Sequence, residues 1–151
     1  MKVSVKINEL THDDLVDLFS TGLTGSSIFG FNYTIHDKPE LPLKEGDCIE
    51  DIMAKILLAG YKVTIIDYYA EGELYSSLGT GLDDEYNGLY EIGLEDIIKG
   101  LEKAGENHDP DFPHDALTNY IDSCMDSGCS FDLTDGESLI QMICFGELIY
   151  G

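Results

Sequence analysis

The stretch that decides the fold is Leu139-Ile140-Gln141-Met142-Ile143-Cys144-Phe145, near the end of the chain. It follows Thr134-Asp135-Gly136-Glu137, which matches a capping box, a helix start in which the Thr and Glu side chains satisfy each other's backbone N–H groups. A helix that is apolar on nearly every side is a buried helix. The pattern therefore predicts a C-terminal helix that either forms the centre of the fold or uses a spare face as an oligomer contact.

Hydrophobic periodicity and turn residues predict the elements that precede this helix. Strands are predicted at residues 3–7, 29–35, 62–68 and 89–92. Helices are predicted at about residues 11–22, 48–58, 94–104 and 114–125. Thr11 and Asp47 are the expected N-caps of the first two helices, and Gly22 and Gly60 their ends.

The order of these elements, β-α-β-α-β-β-α-α-α, favours an α+β fold. We expect one small, mostly antiparallel sheet of about four strands, with helices packed on it and a buried C-terminal helix. The length of 151 residues fits a single domain that spans residues 1–151.

Charge is the most unusual property of the composition. The chain has 30 acidic residues, eight lysines and no arginine, for a formal net charge of −22. Residues 1–62 hold 10 of the acids and six of the lysines, whereas residues 63–151 hold 20 acids and only Lys99 and Lys103. Such a chain is repelled by DNA and RNA backbones, so direct nucleic-acid binding is not expected.

The size of this charge exceeds what solubility requires, which is a magnitude of about 2–8 for a small domain. Self-repulsion also destabilises the folded state. Two causes would account for the excess. One is a halophilic source, in which acidity is general. The other is a surface that presents carboxylates where DNA presents phosphates, so that it fits a cationic groove of a protein.

The acidic residues of the second part of the chain form two runs, which we predict to be the partner-binding surface. The first run comprises Asp83, Asp84, Glu85, Glu91, Glu95 and Asp96, and the second comprises Asp109, Asp111, Asp115, Asp122 and Asp126.

Signals for other locations and chemistries are weak in this sequence. No apolar segment follows the first residues as in a signal peptide, and no stretch approaches 18 apolar residues, so a soluble protein of the bacterial host cytoplasm is expected. Cys48, Cys124, Cys129 and Cys144 contain no C-x-x-C pair and are expected to be reduced. Cys48 and Cys144 lie on predicted apolar faces, where cysteine is a small buried hydrophobe.

No catalytic or cofactor site is predicted, and we expect no metal or other cofactor. The segment Asp109-x-Asp111-x-x-His114-Asp115 contains oxygen ligands but misses the EF-hand spacing, so a solvated loop is the better interpretation. Gly79-Thr80-Gly81 has no following lysine, and no G-x-S-x-G elbow is present. A metal-dependent enzyme remains the third hypothesis.

Two stretches carry a resemblance to known proteins. They are Leu10-Thr11-His12-Asp13-Asp14-Leu15-Val16-Asp17-Leu18-Phe19-Ser20-Thr21 with the later Gly25-Ser26-Ser27, and residues 138–151. Together with the acidic middle, they resemble small acidic accessory proteins of phages and conjugative elements in Gram-positive bacteria. The composition is also similar to that of DNA-mimic inhibitors of restriction and CRISPR nucleases.

These resemblances imply a mobile-element protein that blocks a host defence enzyme. The leading hypothesis is a non-enzymatic inhibitor of the anti-CRISPR or anti-restriction type, whose partner is a basic, nucleic-acid-binding nuclease. The second hypothesis is a structural or regulatory protein that acts through protein contact or homodimerisation by its final helix.

Overall fold

The computed structural model describes residues 10–70, 88–106, 113, 115–124 and 131–150. Within them the chain forms five α-helices and three β-strands in the predicted order. These elements are α1 (His12–Phe19), β1 (Phe29–Asn32), α2 (Ile49–Leu58), β2 (Val63–Asp67), β3 (Leu89–Ile92), α3 (Leu94–Glu106), α4 (Ala116–Cys124) and α5 (Leu133–Phe145). The strand predicted at residues 3–7 lies outside the described residues, as do residues 71–87.

The three strands form an antiparallel sheet in the order β1-β2-β3. In the register, Phe31 of β1 lies opposite Ile65 of β2, and Ile65 lies opposite Tyr90 of β3. Because side chains alternate along a strand, this row shares one face with Val63 and Ile92, which are buried. The helices cover that face, which confirms the predicted α+β class with an antiparallel sheet.

Helix α5 lies at the centre of the fold. It contacts α3, α4, β3 and the π-helical turn Ser20–Thr24 that follows α1. Leu139 and Ile140 are fully buried, and Gln141, Met142 and Ile143 are nearly so, so the buried residues pass around the whole helix. Of the two predicted roles for this helix, the structure therefore shows the central one.

The π-helical turn packs directly against the start of α5. A Cβ atom placed on Gly22 would lie 2.8 Å from the Gly136 carbonyl oxygen, and one on Gly136 would lie 2.8 Å from the Gly22 Cα. Only two glycines allow the backbones to approach this closely. Gly22 was predicted to end the first helix, but the chain continues through it as the π-helical turn, so that prediction is wrong.

The helix starts at α5 and α2 also differ from the prediction. At α5 the N-cap is Asp132, not Thr134: the Asp132 carboxylate accepts from the Asp135 N–H at 2.9 Å, and the Asp135 carboxylate accepts from the Asp132 N–H at 3.3 Å. Glu137, the predicted partner of Thr134, instead accepts from the Ser26 hydroxyl. At α2 the N-cap is Cys48, not Asp47, because Asp47 pairs with Lys55.

The segment after α5 is fastened back onto the helix. The Gln141 side chain accepts from the Ile149 N–H at 2.8 Å and the Tyr150 N–H at 2.7 Å, and donates to the Tyr150 carbonyl at 3.0 Å. The Tyr150 hydroxyl donates to Asp67, a buried carboxylate at the end of β2, at 2.7 Å. These bonds explain why Gln141 stands among apolar residues in the centre of the fold.

Candidate functional site

The predicted partner-binding surface falls partly within the described residues. Four of its side chains are described, namely Glu91, Glu95, Asp96 and Asp115. Asp122 belongs to α4, although its side chain lies outside the described part. The remaining predicted residues lie outside the described residues: Asp83, Asp84, Glu85, Asp109, Asp111 and Asp126.

Three of these four described carboxylates are exposed. Glu91 lies on β3, on the face opposite the core row, Glu95 lies in the first turn of α3, and Asp115 immediately precedes α4. Asp96 differs, because it is half-buried and accepts from the Gly93 N–H at 2.8 Å, so it stabilises the start of α3. Helices α3 and α4 contact each other, so Glu95 and Asp96 of the first run and Asp122 of the second belong to neighbouring helices.

A second group of acids forms where the first turns of α1 and α2 meet. His12 Nε2 lies 3.1 Å from Asp51 Oδ1, a contact within ion-pair distance that lacks the geometry of a hydrogen bond. We call the five carboxylates in and just before these two first turns the α1–α2 acidic cluster: Asp13, Asp14, Asp47, Glu50 and Asp51. Sequence reasoning missed this cluster because residues 13–14 and 47–51 come together only through the packing of α1 on α2.

Hydrogen bonds hold several carboxylates of this cluster in their charged form. The Lys55 ammonium lowers the pKa of Asp47, the Thr24 hydroxyl lowers the pKa of Glu50, and the Cys48 thiol lowers the pKa of Asp51. A depressed pKa favours the ionised carboxylate, so these groups stay charged further into the acidic range.

Neither described free cysteine has the environment of a nucleophile. Cys48 is exposed, which corrects the predicted burial, and its thiol donates to the Asp51 carboxylate at 3.0 Å. This hydrogen bond raises the pKa of Cys48. Burial raises the pKa of Cys144 to about 12. Both effects favour the thiol over the thiolate, which is the reactive form.

Metal and membrane features were sought in the part of the chain that the structure describes. There, no group of three His, Cys, Asp or Glu side chains could hold a metal ion. Of the segment predicted as a solvated loop, Asp109, Asp111 and His114 lie outside the described residues. No described helix has the length and apolar character needed to cross a membrane.

Lysines neutralise few of the described carboxylates. Lys38 Nζ lies 2.9 Å from Asp37 Oδ1, and Lys55 Nζ lies 2.6 Å from Asp47 Oδ2. Both pairs belong to residues 1–62. In residues 63–151, as far as the structure describes them, Lys99 and Lys103 form no ion pair with any carboxylate. The more acidic part of the chain is thus also the part in which neither lysine pairs with a described carboxylate.

Comparison with protein-family models, with curated proteins and with solved structures finds no match for this chain. The resemblance to accessory proteins of mobile elements therefore stays a prediction, and the function is argued from the charge and geometry of the described residues.

Proposed function

We propose that this protein is a non-enzymatic inhibitor that binds the basic nucleic-acid groove of a host defence nuclease, of the CRISPR or restriction type. The observation that carries the proposal is the excess of negative charge in residues 63–151, which have 20 acids against two lysines. Neither lysine is paired with a carboxylate among the described residues.

Unpaired surface charge costs folding free energy, because like charges repel each other in the folded state. Binding to a cationic groove would relieve that repulsion. It would also release counterions from both surfaces, which favours binding in the same way as when the groove binds DNA. Glu91, Glu95 and Asp115 are exposed on β3, α3 and the start of α4, so their carboxylates are available to lysines and arginines of a partner. Association driven in this way is fast and falls steeply with salt.

A triple charge reversal tests this proposal. The variant Glu91→Lys, Glu95→Lys, Asp115→Lys changes three exposed side chains and leaves Asp96 in place as the cap of α3. The matched control Glu45→Lys, Glu106→Lys, Glu147→Lys makes the same change of net charge at three other exposed positions. Each protein is added to a panel of purified CRISPR and restriction nucleases, and both DNA cleavage and DNA binding are measured at low and high salt.

The unaltered protein is expected to compete with DNA for one nuclease of the panel, with an apparent Kd that weakens as salt rises. The triple variant is expected to bind at least about tenfold more weakly at low salt, while the control keeps most of its affinity. Equal weakening by both variants would show that total charge matters rather than this surface. A protein that displaces DNA from none of these nucleases would contradict the proposal.

The second candidate is a protein that acts through apolar contact or homodimerisation, and an exposed aromatic patch favours it. Tyr69 is 57% exposed, Ile149 is 52% exposed and Tyr68 is 47% exposed. The Tyr69 and Tyr150 ring centroids lie 5.5 Å apart, so the exposed Tyr69 ring packs beside the half-buried residue that follows Ile149. Sedimentation at several salt concentrations distinguishes the candidates, because a dimer held by this patch persists in high salt and dissociates in a Tyr69→Ser variant.

A further inference from the structure

His12 joins the first turns of α1 and α2 through its two ring nitrogens. Nδ1 lies 3.1 Å from Asp13 Oδ1 on α1, and Nε2 lies 3.1 Å from Asp51 Oδ1 on α2. The two contacts differ in their exposure to water, because the Asp13 side chain is 98% exposed whereas that of Asp51 is 25% exposed. The contact with Asp51 is therefore the one that connects the two helices in a partly shielded position.

The His12 Nε2 atom is excluded from solvent and has no hydrogen-bond partner among the described residues. Asp51 Oδ1 faces it, while Asp51 Oδ2 accepts from the Cys48 N–H at 3.0 Å and so caps α2. Asp51 cannot turn away from the ring without losing this cap. Without hydrogen-bond geometry, the contact between Nε2 and Oδ1 is attractive only through charge, and the ring supplies that charge only when it is protonated.

The arrangement at Asp13 leads to the same conclusion. A neutral imidazole carries one N–H and one lone pair, so it can donate to only one of the two carboxylates. The imidazolium carries an N–H on both nitrogens, and its positive charge strengthens both contacts with the negative oxygens. Two carboxylates placed at the two nitrogens of one ring are therefore complementary to the protonated form of His12.

The other charges at the junction of α1 and α2 favour this form as well. The α1–α2 acidic cluster contributes five carboxylates, against which the described residues set the Lys55 ammonium, paired with Asp47, and the neutral Cys48 thiol. The π-helical turn has no ionisable side chain, and from α4 the Tyr120 hydroxyl donates to the Asp14 carbonyl at 2.7 Å. The positive ends of the two helix dipoles oppose protonation, but each is equivalent to only about half a unit charge.

We infer that the junction of α1 and α2 is a pH-sensitive device, in which protonation of His12 fastens the two helices to each other. Histidine changes its charge between about pH 5 and pH 8, so the junction tightens as the pH falls through this range. The Cys48 hydrogen bonds lower the pKa of Asp51, so its carboxylate stays charged throughout. Because the folded state favours the protonated ring, the stability that His12 contributes is greatest in acid and is lost as the pH rises.

The test compares the unaltered protein with His12→Gln by urea denaturation at about pH 5.5, 7 and 8.5, at constant ionic strength. Glutamine keeps an uncharged side chain that can form hydrogen bonds. We expect the substitution to lower the ratio of folded to unfolded protein by about fivefold at the lowest pH and by less than about twofold at the highest. The effect is modest because the His12 side chain is 34% exposed, so solvent screens its charge.

Two further variants separate this junction from general electrostatics. His36→Gln makes the same substitution at an exposed histidine that forms no ion pair with a described residue, and it should change the ratio by less than about twofold at every pH. Asp51→Asn removes the charge that faces Nε2 and keeps an oxygen that can accept from the Cys48 N–H. In a double-mutant cycle, we expect His12→Gln and Asp51→Asn to be coupled by about threefold in acid and uncoupled near the highest pH.

Three results would overturn the inference. They are an effect of His12→Gln that is the same at all three pH values, an equal pH dependence in His36→Gln, and a coupling between residues 12 and 51 that does not change with pH. A side chain with a purely structural role would give the first of these results. None of them bears on the nuclease competition experiment, in which His12 and Asp51 are unchanged.

Discussion

At the scale of single residues, the approach of Gly22 to Gly136 has a direct consequence for stability. A methyl group at residue 136 would lie 2.8 Å from both the Gly22 nitrogen and the Gly22 Cα, which are backbone atoms with no flexible end to move aside. Gly136→Ala gains helix propensity of about 1 kcal/mol, but it forces the π-helical turn away from α5. Overpacking of this kind costs about 1–3 kcal/mol, and a clash with backbone atoms belongs at the upper end of that range. After the gain in propensity, we expect a net loss of about 2 kcal/mol in the free energy of unfolding by urea.

Gly25→Ala is the matched control for this prediction. Gly25 has φ −86°, which alanine adopts without strain, and its added methyl group would lie 3.7 Å from Leu133 Cδ1, an ordinary contact. The substitution reduces the freedom of the unfolded chain and should be neutral or stabilising by up to about 1 kcal/mol. If Gly136→Ala were equally harmless, the two backbones would not be as close as the structure places them.

At the scale of elements, mutations at the start of α5 can distinguish the N-cap that the sequence pattern predicts, Thr134, from the observed N-cap, Asp132. Asp132→Ala removes the carboxylate that accepts from the Asp135 N–H, and it should destabilise the protein by about 0.5–2 kcal/mol. Asp132→Asn keeps a good N-cap and should retain most of the stability. Thr134→Ala should change it little, because Thr134 is exposed within the helix. A large loss with Thr134→Ala and none with Asp132→Ala would favour the capping box that the sequence suggests.

This difference shows how far local patterns determine the elements. Both Asp132–Asp135 and Thr134–Glu137 have the three-residue spacing of a capping box, so spacing alone could not choose between them. The observed cap involves Ser26, which is distant in sequence. Its hydroxyl donates to the Glu137 carboxylate, so Glu137 does not bond back to a Thr134 cap. Strand β3 needed no such partner to be predicted, since its apolar residues lie between a glycine-rich segment and a clear helix, and residues 89–92 were predicted as observed.

At the scale of the whole molecule, some features of the candidate sites are local and can be read from the sequence, whereas others depend on contacts between distant residues. Charge and its distribution can be read from the sequence, and Glu91, Glu95 and Asp115, which were chosen for their charge, are exposed. The α1–α2 acidic cluster could not be read in this way, because it depends on two helices that are far apart in sequence. Asp96 shows the converse case, since a residue chosen for its charge is engaged in capping α3.

Salt dependence of stability is the prediction that belongs to the whole molecule. The net charge of −22 opposes folding through repulsion over distances longer than any single contact. Raising sodium chloride from about 10 mM to 150 mM shortens the screening length from about 30 Å to about 8 Å, which removes most of that repulsion. We expect the free energy of unfolding to rise by on the order of 1 kcal/mol over this interval and then to level off, as measured by urea denaturation at each salt concentration.

The shape of this curve also separates the two causes of the acidity. Screening of surface charge is nearly complete once the screening length is shorter than the spacing between neighbouring carboxylates. For an acidic surface that serves to bind a basic partner, further salt should therefore leave the free energy of unfolding unchanged. A protein adapted to a halophilic cytoplasm would continue to gain stability into molar sodium chloride. A plateau near physiological salt therefore supports a partner-binding surface, whereas a steady rise to molar salt would indicate that the acidity is a general adaptation and would remove the main argument for a nuclease partner.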